Sequence, residues 1–127
     1  VRDPDSKQFL MFYEAVAADG TRSIGLATSP DGKSNWQRRP QPVLAPPTAA
    51  AGAWDAGGVG SPCAVPMSGG RWRLYYAGRS AQHGAWEGIG VALGAPPARD
   101  AAGGGGVQLA FKRRAGKPPP PPQQQQQ

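Results

Sequence analysis

The stretch Phe9-Leu10-Met11-Phe12-Tyr13 decides how this chain reads, because Trp72-Arg73-Leu74-Tyr75-Tyr76 repeats its pattern further on. Working outward, Ser23-Ile24-Gly25-Leu26-Ala27 is answered by Gly88-Ile89-Gly90-Val91-Ala92, and Trp36-Gln37-Arg38-Arg39 by Phe111-Lys112-Arg113-Arg114. Asp3-Pro4, just before the first aromatic run, pairs with Ser61-Pro62 just before the second. Markers recurring in one order define a repeated unit. The units are made of short strands, which puts a β-propeller ahead of a helical solenoid. A β-sandwich also has many short strands, but it does not call for the same markers after a shift of about 60 residues.

The spacing within each unit predicts its elements. Residues 8–16 are aromatic and apolar on both faces, as in a strand covered from both sides. Ala18-Asp19-Gly20 is a hairpin signal, and Arg22 to Ser29 is the next strand. Ser29-Pro30-Asp31-Gly32 is a second tight turn, followed by a short outer strand from Trp36 to Arg39. The second unit predicts strands near 62–66, 71–77, 88–93 and 107–112. Gly25 to Trp36 is 11 residues whereas Gly90 to Phe111 is 21, so the second unit carries a Gly/Ala-rich insertion near 95–106. The division is therefore a first blade at 1–47, a connecting loop and second blade at 48–114, and a Pro/Gln tail at 115–127 expected to be disordered.

Composition narrows the function classes. The net charge is +6, but residues 1–98 hold nine basic and seven acidic side chains, while 99–127 hold five and one. Lys112-Arg113-Arg114 has the look of a nucleic-acid patch, yet Arg38-Arg39 stands at the matching place after Trp36, so a charged outer strand accounts for both. No nucleic-acid partner is expected. No apolar run has the length of a membrane helix, and no membrane partner is expected. One cysteine, Cys63, excludes an internal disulfide and reads as a buried small hydrophobe; one histidine, His83, and no acidic cluster predict neither metal nor cofactor. A calcium site completed from outside the chain stays open. Gly103 to Gly106 lacks the lysine and hydroxyl of a phosphate loop.

Arg2-Asp3-Pro4, the strand ending Phe12-Tyr13-Glu14-Ala15, and Ile24-Gly25-Leu26-Ala27-Thr28-Ser29-Pro30-Asp31-Gly32 followed by Trp36 together resemble the five-bladed β-propeller glycosidases. That is the arabinanase, levansucrase and invertase group that includes glycoside hydrolase family 43. The resemblance implies an all-β chain of about two blades of a five-bladed β-propeller, part of a protein that acts on or binds glycans in a central funnel. A non-catalytic propeller that binds carbohydrate or protein partners is the alternative. Glycoside hydrolysis uses two carboxyl groups across the scissile bond. The family's transition-state-stabilising aspartate lies in an Arg-Asp-Pro motif, which Arg2-Asp3-Pro4 matches; by that resemblance Asp3 is the catalytic candidate, with Arg2 beside it for substrate.

Other positions have two readings each. Asp3 serves equally as a turn aspartate before proline. Glu14 is a second candidate acid, or the cross-strand partner of Arg22. Gly52-Ala53-Trp54-Asp55 is echoed by Gly84-Ala85-Trp86-Glu87. An indole face beside a carboxylate suits a sugar, so Trp54, Asp55, Trp86 and Glu87 are candidate substrate-binding residues. Tryptophans that close the gap between blades leave the same trace. In invertase-like relatives a glutamate before cysteine is the general acid; here Pro62 precedes Cys63. The segment by itself is expected to be inactive. Compartment, oligomeric state and the sugar are not written in the sequence.

Overall fold

The computed structural model describes residues 1–47, 53–81, 85–95 and 109–114. The predicted tail at 115–127, His83 and most of the insertion near 95–106 lie outside the described residues.

The chain is all-β, in two antiparallel sheets. The first sheet holds β1 (Phe9–Val16), β2 (Arg22–Ser29) and β3 (Gln37–Arg38) in that order. The second holds β4 (Gly58–Pro66), β5 (Trp72–Arg79), β6 (Trp86–Ala95) and β7 (Ala110–Arg113), also in sequence order. Strands consecutive in the chain are neighbours within each sheet, as in antiparallel meanders. The hairpin at Ala17–Thr21 closes with Gly20 at φ 86°, a conformation open to glycine.

The two repeats match in register as well as in sequence. Tyr13 stands opposite Gly25, and Tyr76 stands opposite Gly90. In each pair the phenol lies against the glycine: a Cβ there would come 2.5 Å from Tyr13 Cζ or 2.6 Å from Tyr76 Cζ. So both glycines are needed for the same reason, a ring lying across the facing strand.

One proposed correspondence is corrected. Arg2 bridges Phe9 as Pro66 pairs with Trp72, and Asp3 N donates to Gln8 O as Met67 N donates to Arg71 O. Asp3 therefore matches Met67, at the turn that leads into the aromatic strand, and not Ser61. Ser61-Pro62 instead forms a bulge inside β4, where the register slips between Gly60 and Cys63 and Ser61 takes φ 47°. Proline cannot donate to the ladder, so the strand continues on both sides of the bulge, and Gly58-Val59-Gly60 belongs to β4 rather than to a loop. Beyond the bulge Cys63 faces outward opposite Tyr75 and is exposed, which corrects its reading as a buried hydrophobe.

Strand β5 alternates strictly: Trp72, Leu74, Tyr76 and Gly78 are buried, while Arg73 and Tyr75 are exposed. Its buried face meets Leu10, Phe12, Ile24 and Leu26 of the first sheet, and Val59 and Leu44 complete the core. Phe12 packs its ring edge-on to Phe111 at 5.8 Å and tilted to Trp72 at 6.0 Å.

Candidate functional site

Chain direction assigns each candidate to one end of the sheets. Phe9 pairs with Ser29 at one end of β1, and Val16 pairs with Arg22 at the other. The strand has eight residues, so these ends are about 23 Å apart.

Asp3 is at the Phe9 end, buried in a turn. Its Oδ2 accepts hydrogen bonds from Ser6 Oγ at 2.6 Å and Ser6 N at 3.2 Å, and its Oδ1 accepts from Asp5 N at 3.4 Å. Both oxygens are thus engaged by Asp5 and Ser6, two and three positions on, the hydrogen bonding of a turn aspartate. Arg2, exposed, donates from Nε to Lys7 O at 3.3 Å and lies 5.7 Å from the Phe9 ring centre. The Ser29–Asn35 turn shares this end. There Asp31 Oδ1 accepts from Ser34 N at 2.8 Å and Lys33 N at 2.9 Å, bonds that hold its carboxyl well below the usual range.

The other candidates gather at the Val16 end. Glu14 faces the second sheet, and its Oε1 accepts from Arg22 Nη1 at 2.6 Å across the hairpin. Gly60 makes room for this carboxylate, since a Cβ there would come 2.8 Å from Glu14 Cδ. Next along the seam, a Cβ on Gly58 would lie 3.5 Å from Arg22 Cβ and 3.1 Å from Arg79 Nε. Arg79 donates from Nε to Gly57 O at 3.1 Å and holds its guanidinium 5.5 Å from the centre of the Trp86 ring. Trp86 is 47% exposed, and Glu87 beside it is exposed as well. Glu14, Arg22, Arg79 and Trp86 therefore form one continuous run across the two sheets. Sequence reasoning missed Arg79, whose only trace was its place at the end of the second aromatic strand.

Trp54 and Asp55 sit near this end but are turned inward. The Trp54 ring stacks on Tyr76, with centres 5.9 Å apart and planes 20° apart, and occupies the space that side chains at Gly78 and Gly90 would fill. Asp55 is 2% exposed; its Oδ2 accepts from Tyr76 OH at 3.0 Å and Arg113 Nε at 2.8 Å. Arg113 also donates to Ala45 O, tying the segment between the sheets to the last strand. Burial first, and the Asp55 carboxylate second, push the Tyr76 hydroxyl up to about 12. This half of the Trp-acid echo is a latch that fastens the segment before β4 to the inner face of the second sheet, whereas Trp86-Glu87 is open.

A groove of about 480 Å³ runs between the sheets on the side of Val1, Phe9, Met11, Pro62 and Cys63. It carries no acid among its lining residues. Among the described residues no three His, Cys, Asp or Glu side chains come together in a way that would hold a metal. Neither the known family models nor the curated proteins contain a match to this chain.

Proposed function

We propose that the chain is two successive blades of a β-propeller similar to the five-bladed glycosidase group, and that it holds carbohydrate at the Glu14–Trp86 end of the seam. Support for the propeller comes from which faces meet. The first sheet uses its Leu10/Phe12/Ile24 face, whose equivalents in the second sheet are Arg73, Tyr75 and Ile89. The second sheet uses its Trp72/Leu74/Tyr76 face, whose equivalents are Phe9, Met11 and Tyr13. Successive blades meet in this way, front to back. A two-fold sandwich of equivalent sheets would join equivalent faces.

The observation that carries the sugar reading is the run of one carboxylate, two guanidinium groups and one open indole at a single end. The indole offers an apolar face to ring C–H groups, Glu14 accepts from hydroxyls, and Arg22 and Arg79 donate to them. The role is positioning. Hydrolysis needs two carboxyl groups roughly 5–9.5 Å apart, and Asp3 and Glu14 lie towards opposite ends of β1 with partners of their own.

The test uses the complete chain with arabino- and fructo-oligosaccharides, read by saturation-transfer NMR and tryptophan fluorescence. Binding is expected, with affinity reduced at least about tenfold in Trp86→Ala and in Glu14→Gln, a change of about 1.4 kcal/mol. Asp3→Asn is expected to bind as the parent does. A chain with an intact β spectrum that gives no saturation transfer to any of these sugars overturns the reading.

A further inference from the structure

Among the described residues two sheet faces are open, and each has a twin inside the molecule that is covered. On the second sheet, Tyr75 is 36% exposed, Leu93 50% and Ile89 71%, with Val65 beside them opposite Arg73. Register places Tyr75 opposite Cys63 and Val91, and Arg73 opposite Leu93, so these side chains share one surface, apolar around Tyr75, Ile89 and Leu93 and bordered at one end by Arg73 and Lys112. On the first sheet the open surface is Phe9, Met11 and Tyr13, with Met11 43% exposed.

The internal interface shows what covers such surfaces. Phe12, Ile24 and Leu26 are the counterparts of Tyr75, Ile89 and Val91, and they are sealed by Trp72, Leu74 and Tyr76. Those three residues are in turn the counterparts of Phe9, Met11 and Tyr13. At Tyr75, Ile89 and Val91 the open face of the second sheet thus has the pattern that the open face of the first sheet is built to cover, with Arg73 standing at the edge where the first sheet has Leu10. We propose that the Tyr75/Ile89 face of one molecule docks on the Phe9/Met11/Tyr13 face of a second copy, front to back, continuing the packing already present between the two sheets.

Such a contact uses a different patch on each partner, so it is not satisfied at a dimer and propagates to a closed ring or an open filament. The inference rests on the front-to-back packing and not on the sugar reading, and the two are tested by separate measurements.

The experiment is sedimentation velocity on the complete chain together with Met11→Arg and Ile89→Arg. Both positions are exposed, so neither change enters the core, and far-UV circular dichroism checks the fold. The parent is expected to sediment at multiples of 13.2 kDa. Each variant alone has one spoiled face and is expected to remain a monomer, with at least about a 100-fold loss of association from burying an unpaired charge. Mixed one to one, the variants are expected to form a heterodimer, because each supplies the face that the other lacks. A parent that is monomeric at its highest soluble concentration overturns the proposal, as do variants that each form homodimers or a mixture that remains monomeric.

Discussion

Ile24 and Ile89 occupy the same place in two copies of one structural unit, yet Ile24 is 0% exposed and Ile89 is 71% exposed. Leu74 and Met11 are the reverse pair, at 0% and 43%. Local structure is the same at each pair: the same strand, the same register and the same neighbouring tyrosine over glycine. The surroundings differ: Leu44 bridges Ile24, β5 lies inside its sheet while β1 is at the edge of its own, and the other sheet covers Ile24 and Leu74 but not Ile89 and Met11. Burial at these positions is thus a property of how sheets stack, and a residue's apolar character marks a face that some sheet must cover.

Substituting across the comparison gives its sharpest test. Ile24→Ala leaves a cavity in the core and is expected to cost about 2–5 kcal/mol, whereas Ile89→Ala in dilute solution is expected to stay within about 0.5 kcal/mol. Urea unfolding of the two variants measures the difference, and equal losses would break the comparison.

The acids provide the second contrast. Asp55→Ala removes the acceptor shared by Tyr76 and Arg113 and is expected to destabilise by about 1–3 kcal/mol. Glu14→Ala breaks a pair whose side chains are 28% and 38% exposed, and is expected to cost no more than about 1 kcal/mol. Thermal unfolding ranks the two. A Glu14 variant that falls as far as the Asp55 variant would give Glu14 a structural task and weaken its candidacy as a binding group.

The twin glycines separate more finely. Tyr76 is fixed by Trp54 and Asp55, so Gly90→Ala is expected to lose about 1–3 kcal/mol by overpacking. Tyr13 borders an open face and can swing aside, so Gly25→Ala should lose less in the same unfolding assay.

A further effect is in pH and is confined to the alkaline range. The Tyr76 hydroxyl titrates at about 12 in the folded chain, against about 10 for an unfolded tyrosine. A folded value above the unfolded one gives stability that is complete below pH 10 and is lost as the pH rises towards 12. Tyr76→Phe should flatten the stability profile in that window while leaving the neutral region's slope unchanged.

The repeat was legible because strand pairing imposes local rules. An aromatic strand, a Gly-centred partner and a turn between them must recur together, and they do at Tyr13/Gly25 and Tyr76/Gly90. The Glu14–Arg22 pair was legible for the same reason, as a diagonal contact across one hairpin. The Asp3 correspondence misread the chain because two X-Pro pairs look alike on paper, while one belongs to a turn and the other to a bulge. Trp54 and Trp86 left equal traces as well; Gly78, Gly90 and Tyr76, distant in sequence from Trp54, draw only that one inward.

Sequence alone determined the aromatic strands, their Gly-centred partners and the matching of those two elements between the units, because hydrogen-bonded neighbours lie close along the chain. Tertiary structure alone decided which face of each sheet is covered, which tryptophan is a latch, and that Glu14, Arg22, Arg79 and Trp86 meet at one end. Those outcomes depend on side chains brought together from different sheets, and no local pattern encodes the distance between them.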